Sequence, residues 1–443
     1  MKRIDGNRQK EGLIGAKMSR RRFLGVAGLA AGGIMANACA TLEGGGGSGK
    51  GGQISIIDDT TNPIIEKEII PKFEKKTGIK VANYQQVNIN ELHDKLATML
   101  SSGDDSFDVM VTWAAWSAEF GAAGWLHKLD EGDVPDDLVP GALDAVSWDG
   151  VVYGLPKFAS VQTMFYNKTL FEEAGLDPEA PPRTWEEFVD AAAQLTGQKR
   201  YGYAADFGNI DGAYQNFLRT LLLNGGEMYD DQQNPVFNSQ EGVGALDRLV
   251  SLLREREVMD PSTMQISHSD DLSTLFIEGD TGIVFNWPFQ YATATDPAKS
   301  TLTAKTLGNA ILPGIAVPSA TIDGSEGFAI SSYSKNKEPA LEWLRFVASP
   351  EVQRRIVVDE GWLPVSKSLL DDEEVVQALP VVETYKEQSK YKALRYGAPW
   401  YSDVTTHLST QITDAMLGRK SPQEALDAAA SEAKKTINGY NSQ

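Results

Sequence analysis

The sequence is poor in cysteine and histidine: one cysteine, Cys39, and four histidines occur among 443 residues. A single thiol cannot close a disulfide within the chain. The histidines, at positions 93, 127, 268 and 407, lack the short spacings of metal-binding motifs. Neither Gly-x-Ser-x-Gly nor His-Glu-x-x-His occurs, so two common hydrolase signatures are missing. The sequence therefore predicts a fold that needs no disulfide, no metal and no cofactor.

Basic residues are also scarce, and they are unevenly placed. The chain has 41 Lys and Arg against 61 Asp and Glu, a net charge of -20. Residues 1–38 hold eight of the basic and two of the acidic residues, which leaves 33 basic and 59 acidic residues in the remainder. Such an acidic surface repels phosphate backbones and anionic lipid headgroups, so nucleic acid is excluded as a partner. No apolar run after residue 40 is long enough to span a bilayer.

The N-terminus has the composition of an export signal. Three arginines at 20–22 precede a short apolar stretch that ends in small residues, as secretory signal peptides do. The word SRRRFL at 19–24 resembles the twin-arginine motif, and ANAC at 36–39 resembles a lipobox, in which the cysteine is lipidated. We therefore expect residues 1–38 to be a twin-arginine-type lipoprotein signal peptide and Cys39 to carry the lipid. The Gly-rich residues 39–52 would form a tether.

Residues 53–112 alternate between strand and helix patterns. Strands are predicted at 53–58, 79–84 and 107–112, and Pro71 should kink or split the first intervening helix. A strand-helix-strand-helix-strand order is typical of a parallel sheet with helices on its faces. Ligand sites in such sheets lie beyond the carboxyl ends of the strands.

Residues 151–176, VVYGLPKFASVQTMFYNKTLFEEAGL, contain two β-prone runs separated by the breakers Gly154 and Pro156. The words YGLP, FYNK and LFEEAGL, followed by PRTWEEF at 182–188, resemble the extracellular solute-binding proteins of ABC importers. GWLPV at 361–365, PWY at 399–401 and SPQEAL at 421–426 continue that resemblance to the C-terminus. The resemblance is to family 1, the carbohydrate-binding group that includes maltose-binding protein.

This resemblance implies an α/β, two-lobe periplasmic-binding-protein type II fold, in which each lobe is a mostly parallel sheet flanked by helices. The chain would cross between the lobes three times, first within residues 151–176 and last at Ser349-Pro350. The N-terminal lobe would comprise 53–158 and 309–347, and the C-terminal lobe 160–306 and 350–443. The ligand would bind between the lobes.

Nine residues are candidates for ligand contact. Sugars present apolar C–H faces and hydroxyl edges, so aromatic rings and polar side chains at strand ends suit them. Each aromatic residue could instead belong to the core, as we expect for Trp185 and Trp343. The loop after the third strand lacks the acid that relatives often carry there and has tryptophans in its place. The candidates are Asp59, Thr60, Trp113, Trp116, Asp206, Trp287, Trp362, Trp400 and Tyr401.

The resemblance implies a binding protein and not an enzyme. It would capture a carbohydrate, a di- or oligosaccharide, by closing its lobes around the ligand. It would act as a monomer and deliver the sugar to ABC transporter permease subunits in the membrane. Twin-arginine export and the lipid anchor would hold it on the outer face of the cell membrane.

Two alternatives stay open on the sequence. A secreted glycosidase would need two carboxyl groups facing one cleft, roughly 5 to 9.5 Å apart. The same fold could also bind a polyamine, through acids and aromatic rings, or iron, through clustered tyrosine or histidine. Adjacent tyrosine pairs are absent, which counts against iron.

Overall fold

The computed structural model describes residues 51–60, 62–139, 141–391 and 397–442. The predicted signal peptide, the lipidation site Cys39 and nearly all of the predicted tether lie outside these ranges. None of the helices within the ranges combines the length and the apolarity that a bilayer crossing requires.

Eleven strands lie in the described ranges. They are Gln53–Asp58 (β1), Lys80–Gln86 (β2), Val109–Thr112 (β3), Ser147–Trp148 (β4), Val151–Val152 (β5), Gly154–Phe158 (β6), Thr163–Asn167 (β7), Tyr201–Ala204 (β8), Thr281–Asn286 (β9), Leu307–Ala310 (β10) and Glu326–Ile330 (β11). They form a five-stranded sheet in the order β2-β1-β3-β11-β6, a four-stranded sheet in the order β10-β7-β9-β8, and the small β4-β5 ribbon.

The α-helices cover these sheets. They are Ile70–Thr77 (α1), Ile89–Ser101 (α2), Ala114–Ala122 (α3), Lys168–Glu173 (α4), Trp185–Leu195 (α5), Ile210–Leu223 (α6), Gln240–Arg254 (α7), Ser269–Glu278 (α8), Phe289–Thr295 (α9), Lys337–Val347 (α10), Pro350–Glu360 (α11), Glu373–Ala378 (α12), Val382–Gln388 (α13), Tyr401–Met416 (α14) and Pro422–Asn441 (α15). A π-helical turn, Ile65–Ile69, precedes α1, and Pro71 lies in the first turn of α1. The helical run is therefore continuous from 63 to 77, and next to Pro71 it changes from π to α geometry instead of splitting in two.

Both sheets mix parallel and antiparallel pairs, so the expectation that each sheet would be mostly parallel is wrong. In the first sheet β1 runs parallel to β2 and β3, as the sequence predicts, and β11 runs antiparallel to β3 and β6. In the second sheet β8 runs parallel to β9, while β7 is antiparallel to both β9 and β10. Strands β6, β7 and β9 are buried along their whole length. Continuous β-prone runs predict this for β7 and β9, whereas β6 contains Gly154 and Pro156, which the sequence suggested as breakers.

The second predicted lobe boundary needs a correction. Residue 309, the expected restart of the N-terminal lobe, lies inside β10, and β10 pairs with β7 of the second sheet from Leu307 to Ala310. The chain therefore returns to the first sheet only through residues 311–325. The sequence LGNAILPGIAVP, at 307–318, predicts one strand that crosses between the lobes. Nothing in it indicates that its first part pairs with the second sheet.

The third predicted crossing, at Ser349-Pro350, is also displaced. Helix α11 follows this break but stays bonded to the first sheet: the Gln353 side chain donates to the Lys157 carbonyl at 2.8 Å, and Glu360 accepts from the Ile64 N–H at 2.8 Å. The crossing comes after Ser368, whose hydroxyl still donates to Asp137 at 2.6 Å. Helices α12 and α13 then pack into the core of the second sheet.

These contacts define two lobes. Lobe one is the first sheet with the β4-β5 ribbon and helices α1–α3, α10 and α11, and lobe two is the second sheet with α4–α9 and α12–α15. Residues 159–162 form the first crossing and residues 311–325 the second.

Candidate functional site

The space between the lobes is bordered by one edge of each sheet. At the edge of the first sheet lie the carboxyl ends of β1 and β3, the amino end of β11 and the end of β6. At the edge of the second sheet lie the carboxyl ends of β8 and β9 beside the amino end of β7. The first two crossings join these edges. This is the position at which α/β sheets bind ligands.

A buried charge cluster occupies the edge of the first sheet. The Lys157 ammonium lies 3.1 Å from a carboxylate oxygen of Asp58, 3.5 Å from one of Asp59 and 3.1 Å from one of Glu326. Lys157, Asp58 and Asp59 are fully buried, while the Glu326 side chain keeps 12% of its surface exposed. Asp59 therefore lies at the predicted edge but against a lysine, and Thr60 beside it is exposed.

In a buried site, ionising all three carboxyl groups around one ammonium is unfavourable in free energy. Burial raises the pKa of Asp58 to about 6, although the Lys157 charge and hydrogen bond oppose this. Burial and the charge of Asp59 raise the pKa of Glu326 well above its usual value. Both shifts favour the protonated form, in which a carboxyl group can donate as well as accept a hydrogen bond.

These shifts make the folded state less stable as the pH rises. Burial also raises the pKa of Glu360 to about 7. An acid whose pKa is higher folded than unfolded stabilises the fold while it is protonated, and that contribution is lost as the pH rises through the folded value. We expect the free energy of unfolding, measured by urea denaturation, to fall by a few kcal/mol, roughly, between pH 5 and pH 8.

Glu360→Gln, which imitates the protonated acid, should flatten this slope between pH 5 and pH 7. Glu91→Gln, an exposed acid of α2, is the control and should leave it unchanged. Stability that rises from pH 5 to pH 8 would contradict the assignment.

Aromatic rings follow the carboxyl end of β3. Trp113 immediately precedes α3, and its ring centroid lies 3.5 Å from that of Trp116. Both residues are buried. The segment before α14 reaches this point from lobe two, because a Cβ on Gly397 would meet the Ala114 carbonyl oxygen at 2.6 Å. The structure thus brings the start of α14, with the candidates Trp400 and Tyr401, to the candidates after β3.

The remaining tryptophan candidates have different surroundings. Trp287 follows β9, and its ring lies against the backbone of Gly324 in the second crossing, since a Cβ there would come within 2.4 Å of the ring. Trp287 therefore contacts the hinge from lobe two. Trp362 lies with its ring stacked on Phe158, with centroids 4.2 Å apart and planes 15° apart. One face of Trp362 is thus covered by protein, as in a core residue.

Asp206 belongs to a polar network that the sequence did not reveal. The Asn216 amide donates to the Asp206 carboxylate at 2.8 Å and also accepts from the buried guanidinium of Arg219. Arg219 donates in addition to Gln162 in the first crossing, at 2.6 Å, and to the Tyr203 hydroxyl, at 3.2 Å. Burial raises the pKa of Asp206, partly offset by the Asn216 hydrogen bond. This network fixes polar groups of lobe two beside the hinge.

Several buried polar atoms near the two edges have no hydrogen-bond partner within the described part of the chain. They are Ser160 Oγ in the first crossing, Arg219 Nε and Trp400 Nε1. Buried polar groups are normally bonded to protein or to water, so these three atoms are candidates for hydrogen bonds to a ligand.

Sequence reasoning missed Lys157, Glu326 and Arg219. One signal was present: Lys157 interrupts an otherwise apolar strand, and a lysine is seldom fully buried unless it is paired. Glu326 and Arg219 carry no local signal, since charged residues at a strand start or within a helix are ordinary.

A separate cavity of about 560 Å³ lies at the opposite edge of the second sheet, near Arg200, Tyr201, Asp260 and Asp280. None of the predicted ligand residues lines it. That edge holds the amino ends of β8 and β9, so the rule for α/β sheets does not point to it. Within the described residues, no group of three or more His, Cys, Asp or Glu side chains could hold a metal ion.

Known proteins resemble this chain over most of its length. The probable amino-acid ABC transporter periplasmic-binding protein y4oP of Sinorhizobium fredii is 27% identical over 321 residues, which cover 70% of this chain and 71% of y4oP. The galactooligosaccharide-binding protein of Bacillus subtilis is 23% identical over 406 residues, covering 89% of this chain and 92% of that protein.

Solved structures share the two-lobe fold. Maltose-bound MalE3 of T. maritima superposes with a TM-score of 0.79 at 23% identity, covering 86% of this chain and 99% of MalE3. The fold is therefore the two-lobe periplasmic-binding-protein fold that the sequence predicts. The model of the bacterial extracellular solute-binding proteins matches residues 58–354. The chain belongs to the family of bacterial extracellular solute-binding proteins.

Proposed function

We propose that this protein captures a sugar or polyol between its lobes and delivers it to the permease of an ABC importer. The observation that carries the proposal is the meeting, at one pair of sheet edges, of aromatic rings with buried polar groups that lack partners. Trp287 and Trp400 supply apolar faces from lobe two, while Ser160 and Arg219 supply hydrogen-bonding atoms. Two proteins that it resembles are a galactooligosaccharide-binding protein and the maltose-bound MalE3.

Capture proceeds by closure about the crossings. A ligand that touches both lobes binds the closed form more tightly and shifts the open-closed equilibrium toward it. The closed form then offers both lobes to the permease. No covalent step is needed, and the acids nearest the hinge are paired with the Lys157 ammonium.

A second ligand class has a specific observation behind it. The name of the relative y4oP gives an amino acid as its substrate, and a ligand with an ammonium group would suit the excess of carboxyl groups around Lys157. The hydroxyl-rich ligand remains the proposal, because the pKa shifts in the cluster favour protonated carboxyl groups and the aromatic rings favour C–H faces.

Thermal unfolding against a panel of mono-, di- and oligosaccharides, polyols, amino acids and polyamines tests the proposal. A ligand at 100 times its dissociation constant stabilises by about 2.7 kcal/mol, which is a shift on the order of 5 °C for a chain of this size. We expect a shift with one sugar or polyol, and chromatography should recover that ligand unchanged. A shift only with an amino acid or polyamine, or cleavage of the sugar, would overturn the proposal.

Export and anchoring form a further part of the proposal. We expect the full chain, expressed in a host with twin-arginine export, to lose residues 1–38 and to gain the mass of a lipid at Cys39. The measurement is intact mass and partition into detergent. Cys39→Ser should abolish both the added mass and the partition, and an unmodified, water-soluble wild-type product would contradict the lipid anchor.

A further inference from the structure

One hydrogen-bonded group joins helices of the two lobes directly. The Ser402 hydroxyl, in the first turn of α14, donates to the Glu119 carboxylate of α3 at 2.9 Å. Ser402 Oγ also lies 3.2 Å from His93 Nε2 of α2, and that nitrogen lies 2.9 Å from the same Glu119 oxygen. Helix α14 packs on α6, α7 and α15 of lobe two, whereas α2 and α3 belong to lobe one.

The group is shielded enough for these bonds to matter. The His93 and Glu119 side chains keep only 22% and 20% of their surface exposed. The His93 ring lies 5.5 Å from the ring of Trp116 and 5.7 Å from that of Phe120. A hydrogen bond to a charged group that is partly screened from water is stronger than a neutral one at the surface.

We propose that Ser402, Glu119 and His93 form a latch that holds the lobes closed. These are positioning residues. Opening the lobes would carry Ser402 away from both partners, so the latch contributes only to the closed form. The proposal rests on the hinge closure of the proposed function but not on which ligand is captured. The latch makes the rate of ligand release depend on residues that need not contact the ligand.

The protonation of His93 should set the strength of the latch. Burial alone would lower its pKa, but Glu119, at Nε2, and Asp94, at Nδ1, raise it above the usual value. On α14 the charged neighbour of Ser402 is Asp403, which accepts from the Tyr440 hydroxyl. An imidazolium can donate to both acids and share its Nε2 proton with Ser402. The latch is therefore complete below the pKa of His93 and weakens as the pH rises through it.

The test measures the distance between the lobes without any ligand. Spin labels are attached to cysteines at the exposed positions Ser102, after α2, and Ser431, on α15, in the full chain with Cys39→Ser. Pulsed electron paramagnetic resonance then gives the distance distribution at pH 6 and pH 9. Ser402→Ala should move the ratio of closed to open molecules about tenfold toward open, the effect of losing one charge-assisted hydrogen bond.

Two further variants make the test decisive. Glu119→Gln should open the lobes as well and should remove the difference between pH 6 and pH 9. Thr410→Ala removes a hydroxyl of the same helix that, among the residues the structure describes, bonds only to the Thr406 carbonyl, and it should leave the distribution unchanged. If Ser402→Ala and Glu119→Gln gave the same distribution as Thr410→Ala, the latch would be overturned. That result would leave ligand capture, which the thermal panel tests separately, untouched.

Discussion

Replacing Lys157 with methionine should lower the free energy of unfolding by about 3 to 5 kcal/mol, the usual cost of removing one partner from a buried ion pair. Methionine fills a similar volume, so the loss would come from charge and not from a cavity. Three carboxyl groups would remain close together. Those of Asp58 and Asp59 are fully buried, and the Glu326 side chain is only 12% exposed. Urea denaturation at pH 7 measures the effect.

The pH dependence of this loss identifies its cause. At pH 5 more of the three carboxyl groups are protonated, so Lys157→Met should cost less there than at pH 8. Adding Glu326→Gln should restore part of the stability by removing one acid from the cluster. Lys80→Met is the control, because its ammonium pairs with Glu74 but its side chain is 69% exposed, and exposed pairs contribute roughly 0 to 1 kcal/mol. A Lys157→Met protein within about 1 kcal/mol of the wild type at pH 7 would contradict the role given to the cluster.

The charge cluster around Lys157 also shows which contacts could not be predicted from the sequence. The strand that carries Lys157 was not predicted, since Gly154 and Pro156 suggested a break between two β-prone runs, whereas β6 spans both of them from Gly154 to Phe158. The partners of Lys157 were not predicted either, because Asp58 and Glu326 lie 99 residues before and 169 residues after it in the chain. A pattern within a short window cannot say which strands become neighbours. The family resemblance predicted the sheet edge, and the pairing of β11 with β6 supplied the contact.

The two displaced lobe boundaries have the same origin. The boundary at 309 was placed within a run that looked like one strand, and the last crossing was placed at a real break, Ser349-Pro350, where α10 ends and α11 begins. A break ends an element but does not determine which sheet the next element joins. Two hydrogen bonds hold α11 in lobe one. Gln353 donates to the Lys157 carbonyl, and Glu360 accepts from the Ile64 N–H. Helix position was predictable, and lobe membership required long-range contacts.

The sequence predicted where the aromatic candidates lie as a group better than it predicted the surroundings of each ring. Position at strand ends correctly placed Trp113 and Trp287 at the two edges that border the space between the lobes. It could not distinguish Trp287, which contacts the second crossing at Gly324, from Trp362, which stacks on Phe158. That distinction depends on the residues across the fold, and it selects Trp287 as the ring to test.

Trp287→Ala should weaken ligand binding at least about 100-fold, the loss expected for an aromatic residue at the centre of a binding site. The substitution should also affect stability, since Trp287 is only 9% exposed and packs on Gly324. Truncation of a buried tryptophan costs about 3 to 5 kcal/mol, so both binding and stability should fall.

A matched variant separates the two effects. Trp185 lies in the same lobe, is 5% exposed and packs against Phe188 with ring centroids 5.2 Å apart. Its backbone N–H donates to the Gly314 carbonyl of the second crossing, a bond that alanine keeps. Trp185→Ala should therefore lower the melting temperature by a similar amount but keep the further shift that the ligand from the thermal panel produces. Trp287→Ala should lose that shift.

Calorimetry provides the result that would contradict this role. If the affinity of Trp287→Ala were within about threefold of the wild type, a difference below roughly 1 kcal/mol, the ring would be a hinge contact. The apolar face of the ligand would then have to contact another residue. Trp400 would then be the next to test, because its indole N–H is buried without a partner in the described chain.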